Sequence, residues 1–140
     1  MTLKKLPKPV PALIIMMLIL GITACGVGGP SKAERLGKDM QDAAASVPGV
    51  KDAQVHVNMN TSGNFITAKL TGTGSEHAAL AQALEEALPA MLEKTTDLDS
   101  GSFSVSIFSP DDSVSVSAGD LGYAGGTSLA DFREYFLNRP

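Results

Sequence analysis

Ala53-Gln54-Val55-His56-Val57-Asn58-Met59-Asn60, then Thr61-Ser62-Gly63-Asn64, then Phe65-Ile66-Thr67-Ala68-Lys69-Leu70-Thr71 is the stretch that decides the fold. Apolar and polar residues alternate strictly on both sides of a turn-forming tetrapeptide, which is the period of two expected of paired strands with one buried face. Ala53, Val55, Val57 and Met59 form the apolar phase of the first strand, and Ile66, Ala68 and Leu70 that of the second. Working outward, Gly72-Thr73-Gly74 ends the second strand, and Ser75 is a candidate cap for a helix from about Glu76 to Lys94. Its inner face carries Leu80, Ala83, Leu84, Ala87, Leu88, Met91 and Leu92. Pro89 lies inside this helix and predicts a kink or an end to regular structure there, because it has no N–H to donate and crowds the preceding turn.

Upstream, Ser31-Lys32-Ala33-Glu34 has the spacing of a capping box, opening a helix with the stripe Leu36, Met40, Ala43, Ala44 and Val47 that Pro48-Gly49 ends. Downstream, Phe103, Val105 and Ile107 alternate with Ser102, Ser104 and Ser106. Val114 and Val116 alternate with Ser113, Ser115 and Ser117 across the turn Ser109-Pro110-Asp111-Asp112. After a Gly-rich loop, Thr127-Ser128 caps a last helix bearing Leu129, Phe132, Tyr135 and Phe136. Residues 31–140 therefore read as a single domain of the α+β class, in the order α-β-β-α-β-β-α. The expected architecture is a two-layer sandwich with helices on one face of a mainly antiparallel sheet and the strand order open.

The first 24 residues read differently. Lys4, Lys5 and Lys8 make a cationic start, and Val10 to Ile22 is an apolar run of 13 residues. That order suits a secretory signal, and the run is short of the roughly 20 residues needed to span a bilayer. Ile22-Thr23-Ala24-Cys25 follows directly and resembles the lipobox of bacterial lipoproteins. The resemblance implies cleavage before Cys25, a diacylglycerol on its thiol, and residence at the cell membrane on the extracytoplasmic side. Residues 25–30 then form the lipidated Cys and a flexible stalk; Gly26-Val27-Gly28-Gly29-Pro30 reaches at most ~17 Å at ~3.4 Å per residue. The mature domain loosely resembles ferredoxin-like and BON-type envelope domains around Val47-Pro48-Gly49-Val50 and the Ala- and Leu-rich helix. That resemblance implies an element order and no activity.

Charge narrows the partners. Of 11 basic residues three leave with a leader ending at Ala24, and none of the 15 acidic ones does, so 8 against 15 remain and the formal charge is −7. Nucleic acid and anionic lipid both call for clustered Lys and Arg, so neither is an expected partner. Cys25 is the single cysteine, which excludes an internal disulfide and any multi-cysteine metal or redox motif.

No catalytic constellation is visible. His56 and His77 lack partners at metal-ligand spacing, Gly-x-Ser-x-Gly is absent, and no cofactor is expected. Asp97, Asp99, Asp111, Asp112 and Asp120 are calcium-compatible in chemistry but lack EF-hand spacing, and acidic turn residues more often bond their own backbone. Gly122-Tyr123-Ala124-Gly125-Gly126 precedes a capped helix without the Lys of a phosphate cradle. By parity, the sheet face away from the helices carries Gln54, His56, Asn58, Phe65, Thr67, Lys69, Thr71, Ser102, Ser104, Ser106, Ser113, Ser115 and Ser117. A solvated sheet face is the commoner meaning of such a set. The functional one is a flat docking surface for an envelope protein, centred on Gln54, His56, Asn58, Phe65, Thr67, Ser104 and Ser106. The expectation is a non-enzymatic, lipid-anchored binding or scaffolding domain. The alternative is a small hydrolase or ligand-binding accessory subunit whose polar groups converge only in three dimensions.

Overall fold

The computed structural model describes residues 29–138. The leader, the lipobox and Cys25 lie outside the described residues. The alternating stretch forms β1 (Val50–Asn60) and β2 (Gly63–Gly72), antiparallel from Asn60↔Gly63 back to Val50↔Gly72, with one irregularity between Val50 and Asp52. Two residues, Thr61 and Ser62, make the turn, and the Asn60 Oδ1 accepts from the Ser62 N–H at 2.7 Å. Gly63 leaves the turn at φ 140°, a backbone conformation open to glycine.

Preceding the hairpin is α1 (Lys32–Ala45), and following it is α2 (His77–Leu92), which tightens into a 3₁₀ turn at Glu93–Thr95. β3 (Ser102–Phe108), β4 (Ser115–Ser117), a 3₁₀ turn at Ala118–Leu121 and α3 (Leu129–Leu137) complete the chain. The sheet order is β1-β2-β3-β4. β3 lies parallel to β2, from Phe65↔Ser102 to Thr71↔Phe108, while β3 and β4 are antiparallel. The two hairpins therefore meet through β2 and β3, with α2 as the crossover that a parallel pair requires. One parallel pair sits at the centre of an otherwise antiparallel sheet.

The capping box at the start of α1 forms as the sequence predicts. The Ser31 N–H donates to Glu34 Oε1 at 2.9 Å, and the Glu34 N–H donates to Ser31 Oγ at 3.1 Å. Along α1, Leu36, Gly37, Met40 and Ala44 are buried. Gly37 brings the helix against β1, where an added Cβ would come within 3.4 Å of the Val55 carbonyl oxygen. On the same side, Gln41 Oε1 accepts from the Val55 N–H at 3.3 Å. A helix side chain thus occupies part of the outer edge of the sheet, which protects the strand from pairing with other chains.

Three local expectations need correction. Glu76, not Ser75, is the N-cap of α2, and no side chain bonds to that end of the helix. Of the two outcomes expected at Pro89, an end to the helix is overturned: it runs on to Leu92, where Leu88, Met91 and Leu92 are fully buried and hold its last turn in the core. β4 is only three residues long, and Ser113 lies in the preceding turn, not on the sheet. The turn is closed by its own side chains. Buried Ser109 Oγ accepts from the Val114 N–H at 3.0 Å and donates to Asp111 Oδ1 at 2.8 Å, and that same oxygen takes the Ser113 N–H and hydroxyl.

The core lies between the sheet and the helices. Ile66 and Leu70 of β2 and Phe103 and Ile107 of β3 pack with Leu80, Leu84 and Leu88 of α2, all at 2% exposure or less. Burying each such side chain is worth ~1.5–3 kcal/mol. α3 docks through Phe132 and Phe136, with Phe132 edge-on to Phe103 at 4.8 Å between centroids. The chain leading into α3 pairs with the start of β3, the Phe103 N–H donating to the Thr127 carbonyl and the Leu129 N–H to the Gly101 carbonyl. Ser128 Oγ accepts from the Asp131 N–H at 3.3 Å, completing the predicted cap.

Candidate functional site

Among the described residues the helices pack on one face of the sheet, and register sets out what the other face displays. His56 of β1 stands opposite Thr67 of β2, which stands opposite Ser104 of β3. A second row runs Gln54, Lys69, Ser106, Ser117, and a third runs Asn58, Phe65, Ser102. Gln54, His56, Asn58, Phe65, Thr67 and Ser104 are exposed and Ser106 is half-buried, so all seven residues proposed from parity share this face. With strands ~4.8 Å apart, a row of four spans ~14 Å. Amides and hydroxyls make up most of the surface, with His56 and Lys69 among them.

Two aromatic rings interrupt it. Phe65 is the one large hydrophobic side chain exposed among the described residues, at 42%. The other, Phe108, is half-buried and continues the alternation of β3 one position past Ile107. Phe108 pairs with Thr71, six residues along β2 from Phe65, so the rings mark opposite ends of the face, ~20 Å apart along the strands. Lys69 Nζ lies 5.0 Å from the Phe108 ring centroid and 3.7 Å from Asp112 Oδ1. At such exposure the ion pair is worth little, ~0–1 kcal/mol, but it holds the ammonium group over the ring.

Each histidine lies near a carboxylate that already accepts hydrogen bonds at a helix start. His56 also lines a shallow groove of about 360 Å³ between α1 and β1 that includes Glu34, Gly37 and Gln41. The Glu34 carboxylate is occupied there as the helix cap, and its hydrogen bonds from the Ser31 backbone and hydroxyl hold its pKa below the ordinary value. His77 opens α2 near Asp120, whose carboxylate is committed to the Ser117 N–H at 2.8 Å, the first cause of its lowered pKa. Among the described residues, no group of three or more His, Cys, Asp or Glu could hold a metal ion. Likewise among them, no helix is long and apolar enough to cross a membrane.

The acidic turn before β4 has a structural role with a measurable consequence. Hydrogen bonds from the Ser113 hydroxyl, the Ser109 hydroxyl and the Ser113 N–H, in that order, pull the Asp111 pKa from its ordinary 3.8 to about 2. A carboxyl depressed on folding contributes stability above its unfolded pKa, and that contribution is lost as pH falls toward the folded value. Thermal stability is therefore expected to fall between about pH 4 and pH 2, with the Asp111 carboxyl titrating near 2 by NMR. Ser109→Ala orphans the Val114 N–H beneath the turn, which is expected to cost ~1–3 kcal/mol and to move the Asp111 pKa back up.

No family of known proteins, no curated protein and no solved structure gave a match in comparison with this chain.

Proposed function

We propose that the protein is a lipid-anchored extracytoplasmic domain, without enzymatic activity, that binds or scaffolds another component of the cell envelope through the open face of its sheet. The observation that carries this reading is the face itself. Its polar rows between Phe65 and Phe108, in which Lys69 is the charged member, offer hydrogen-bonding groups with an apolar contact at each end, the mixture found where proteins meet. The lipobox-like Ile22-Thr23-Ala24-Cys25 supports the location, since two or more acyl chains anchor a protein stably without any basic surface. A stalk of five residues would keep the domain near the bilayer, within reach of other envelope proteins.

A photoreactive amino acid at Thr67, in the middle of the face, tests this in intact membranes. The expected result is one discrete protein adduct from Thr67 and none from the same probe at Glu86 on the exposed side of α2. A Phe65→Glu change should weaken the adduct, because it puts an unpaired charge into the contact. Equal labelling from both positions, or none from Thr67, contradicts the docking role.

A further inference from the structure

The Gly-rich loop at residues 122–126 is not shaped around a phosphate. It wraps the buried ring of Tyr123, whose hydroxyl donates to the Gly126 carbonyl at 2.9 Å. Gly122, at φ 94°, ends the preceding 3₁₀ turn, and an added Cβ there would come within 3.2 Å of the Tyr135 hydroxyl. A Cβ on Gly125 would strike the Tyr123 hydroxyl at 2.5 Å and its ring at 2.6–2.7 Å. These glycines let the loop close on two tyrosine rings that meet edge to face, 5.3 Å between centroids.

Between this loop and α3 is a shallow, open cleft of about 360 Å³, near the lower end of the ~300–1,000 Å³ usual for small-molecule sites. Tyr123 and Tyr135 give it aromatic walls, and Asp131 and Glu134 are its charged residues. Spacings of three and four residues put Asp131, Glu134 and Tyr135 on one side of α3. Neither carboxylate makes an ion pair among the described residues. Arg133, the nearest cation in sequence, is taken elsewhere, with Nη1 donating to the Thr95 carbonyl at 2.6 Å. Tyr123 keeps its proton, since burial first and the Asp131 charge second push its pKa above the ordinary 10.0. The cleft thus combines neutral aromatic rings with two carboxylates that no described cation pairs.

We propose that this cleft binds an alkylammonium cation, which Tyr123 and Tyr135 contact through their rings while Asp131 and Glu134 supply the opposing charge. Aromatic surface favours a weakly hydrated organic cation over sodium, because such a cation gives up little hydration when it meets a ring. Carboxylates alone would not discriminate in this way. The site is separate from the open sheet face, and its test is independent of the anchor and of any protein partner.

The chain has two tyrosines and no tryptophan, so its intrinsic fluorescence reports on this cleft. The full chain in non-ionic detergent is titrated with tetramethylammonium chloride, with sodium chloride at matched ionic strength, and with tert-butanol as the uncharged shape control. A saturable change with tetramethylammonium alone, at millimolar concentrations, is expected. Glu134 is exposed and lies outside the core, so Glu134→Gln should leave the melting curve intact while weakening binding by ~3–10-fold; adding Asp131→Asn should weaken it further. A response shared by sodium or tert-butanol, one that never saturates, or one untouched by both substitutions overturns the proposal.

Discussion

Phe103→Ala is expected to destabilise the domain by ~3–5 kcal/mol, the range found for removing a buried aromatic ring. Phe103 is fully buried on the central strand β3, between the sheet and the helix that closes the core. Its ring meets Phe132 edge-on, and Phe132 lies against Tyr123 at 4.4 Å and Phe136 at 6.0 Å between centroids, so the loss reaches the whole cluster that docks α3. The site cannot collapse easily, because backbone bonds on both sides of Phe103 tie β3 to β2 and to the chain entering α3. A domain of roughly 110 residues melts ~4–8 °C lower per kcal/mol, so the variant should lose well over 10 °C, measured by circular dichroism. The open sheet face offers the contrast. Thr67→Ala removes an exposed hydroxyl on the opposite side of the same sheet and should change stability by less than ~0.5 kcal/mol.

Cys25→Ser should have the largest effect on the protein in its cell while leaving the domain fold alone. If a thioether-linked diacylglycerol is what holds the protein to the bilayer, a hydroxyl in its place cannot be alkylated, and processing before residue 25 stops. Fractionation should then show the larger precursor, or soluble material, in place of a mature membrane form. Among the described residues no helix is long and apolar enough to cross a membrane, and the chain beyond Ala24 carries an excess of acidic residues. Unchanged membrane partition of Cys25→Ser would mean that the leader-like segment or a partner protein does the holding.

Where neighbouring residues decide the outcome, the sequence was a good guide. Alternation through Ala53–Asn60 and Phe65–Thr71 sorts β1 and β2 into a buried and an open face, and Ser31 with Glu34 and Ser128 with Asp131 form their caps as spaced. Features set by distant packing were not legible. Strand order depends on where α2 returns the chain, and periodicity carries no information on that. The run of helix past Pro89 depends on burial of Met91 and Leu92, which outweighs the missing backbone donor. Ser75 has the composition of a cap, yet the helix starts one residue too late for its hydroxyl to serve.

The candidate sites divide in the same way. All seven residues proposed for the docking face follow from parity and lie together, whereas Ser113 departs because the Ser109 and Asp111 side chains close the turn before the strand begins. The tyrosine cleft was hidden. Tyr123 lies in a loop without periodicity, and its partners come from α3, several residues further along the chain. In the sequence those glycines suggested only a phosphate loop missing its lysine; in the fold their small size lets the backbone close over a ring.

The account of where this protein works is tested most directly by the mass of the N-terminal peptide of the native protein extracted from membranes. It predicts a peptide that begins at Cys25 and carries a thioether-linked diacylglycerol, heavier still if the new amine is acylated. A peptide that starts upstream of Cys25, or one with a free thiol at that residue, would contradict it.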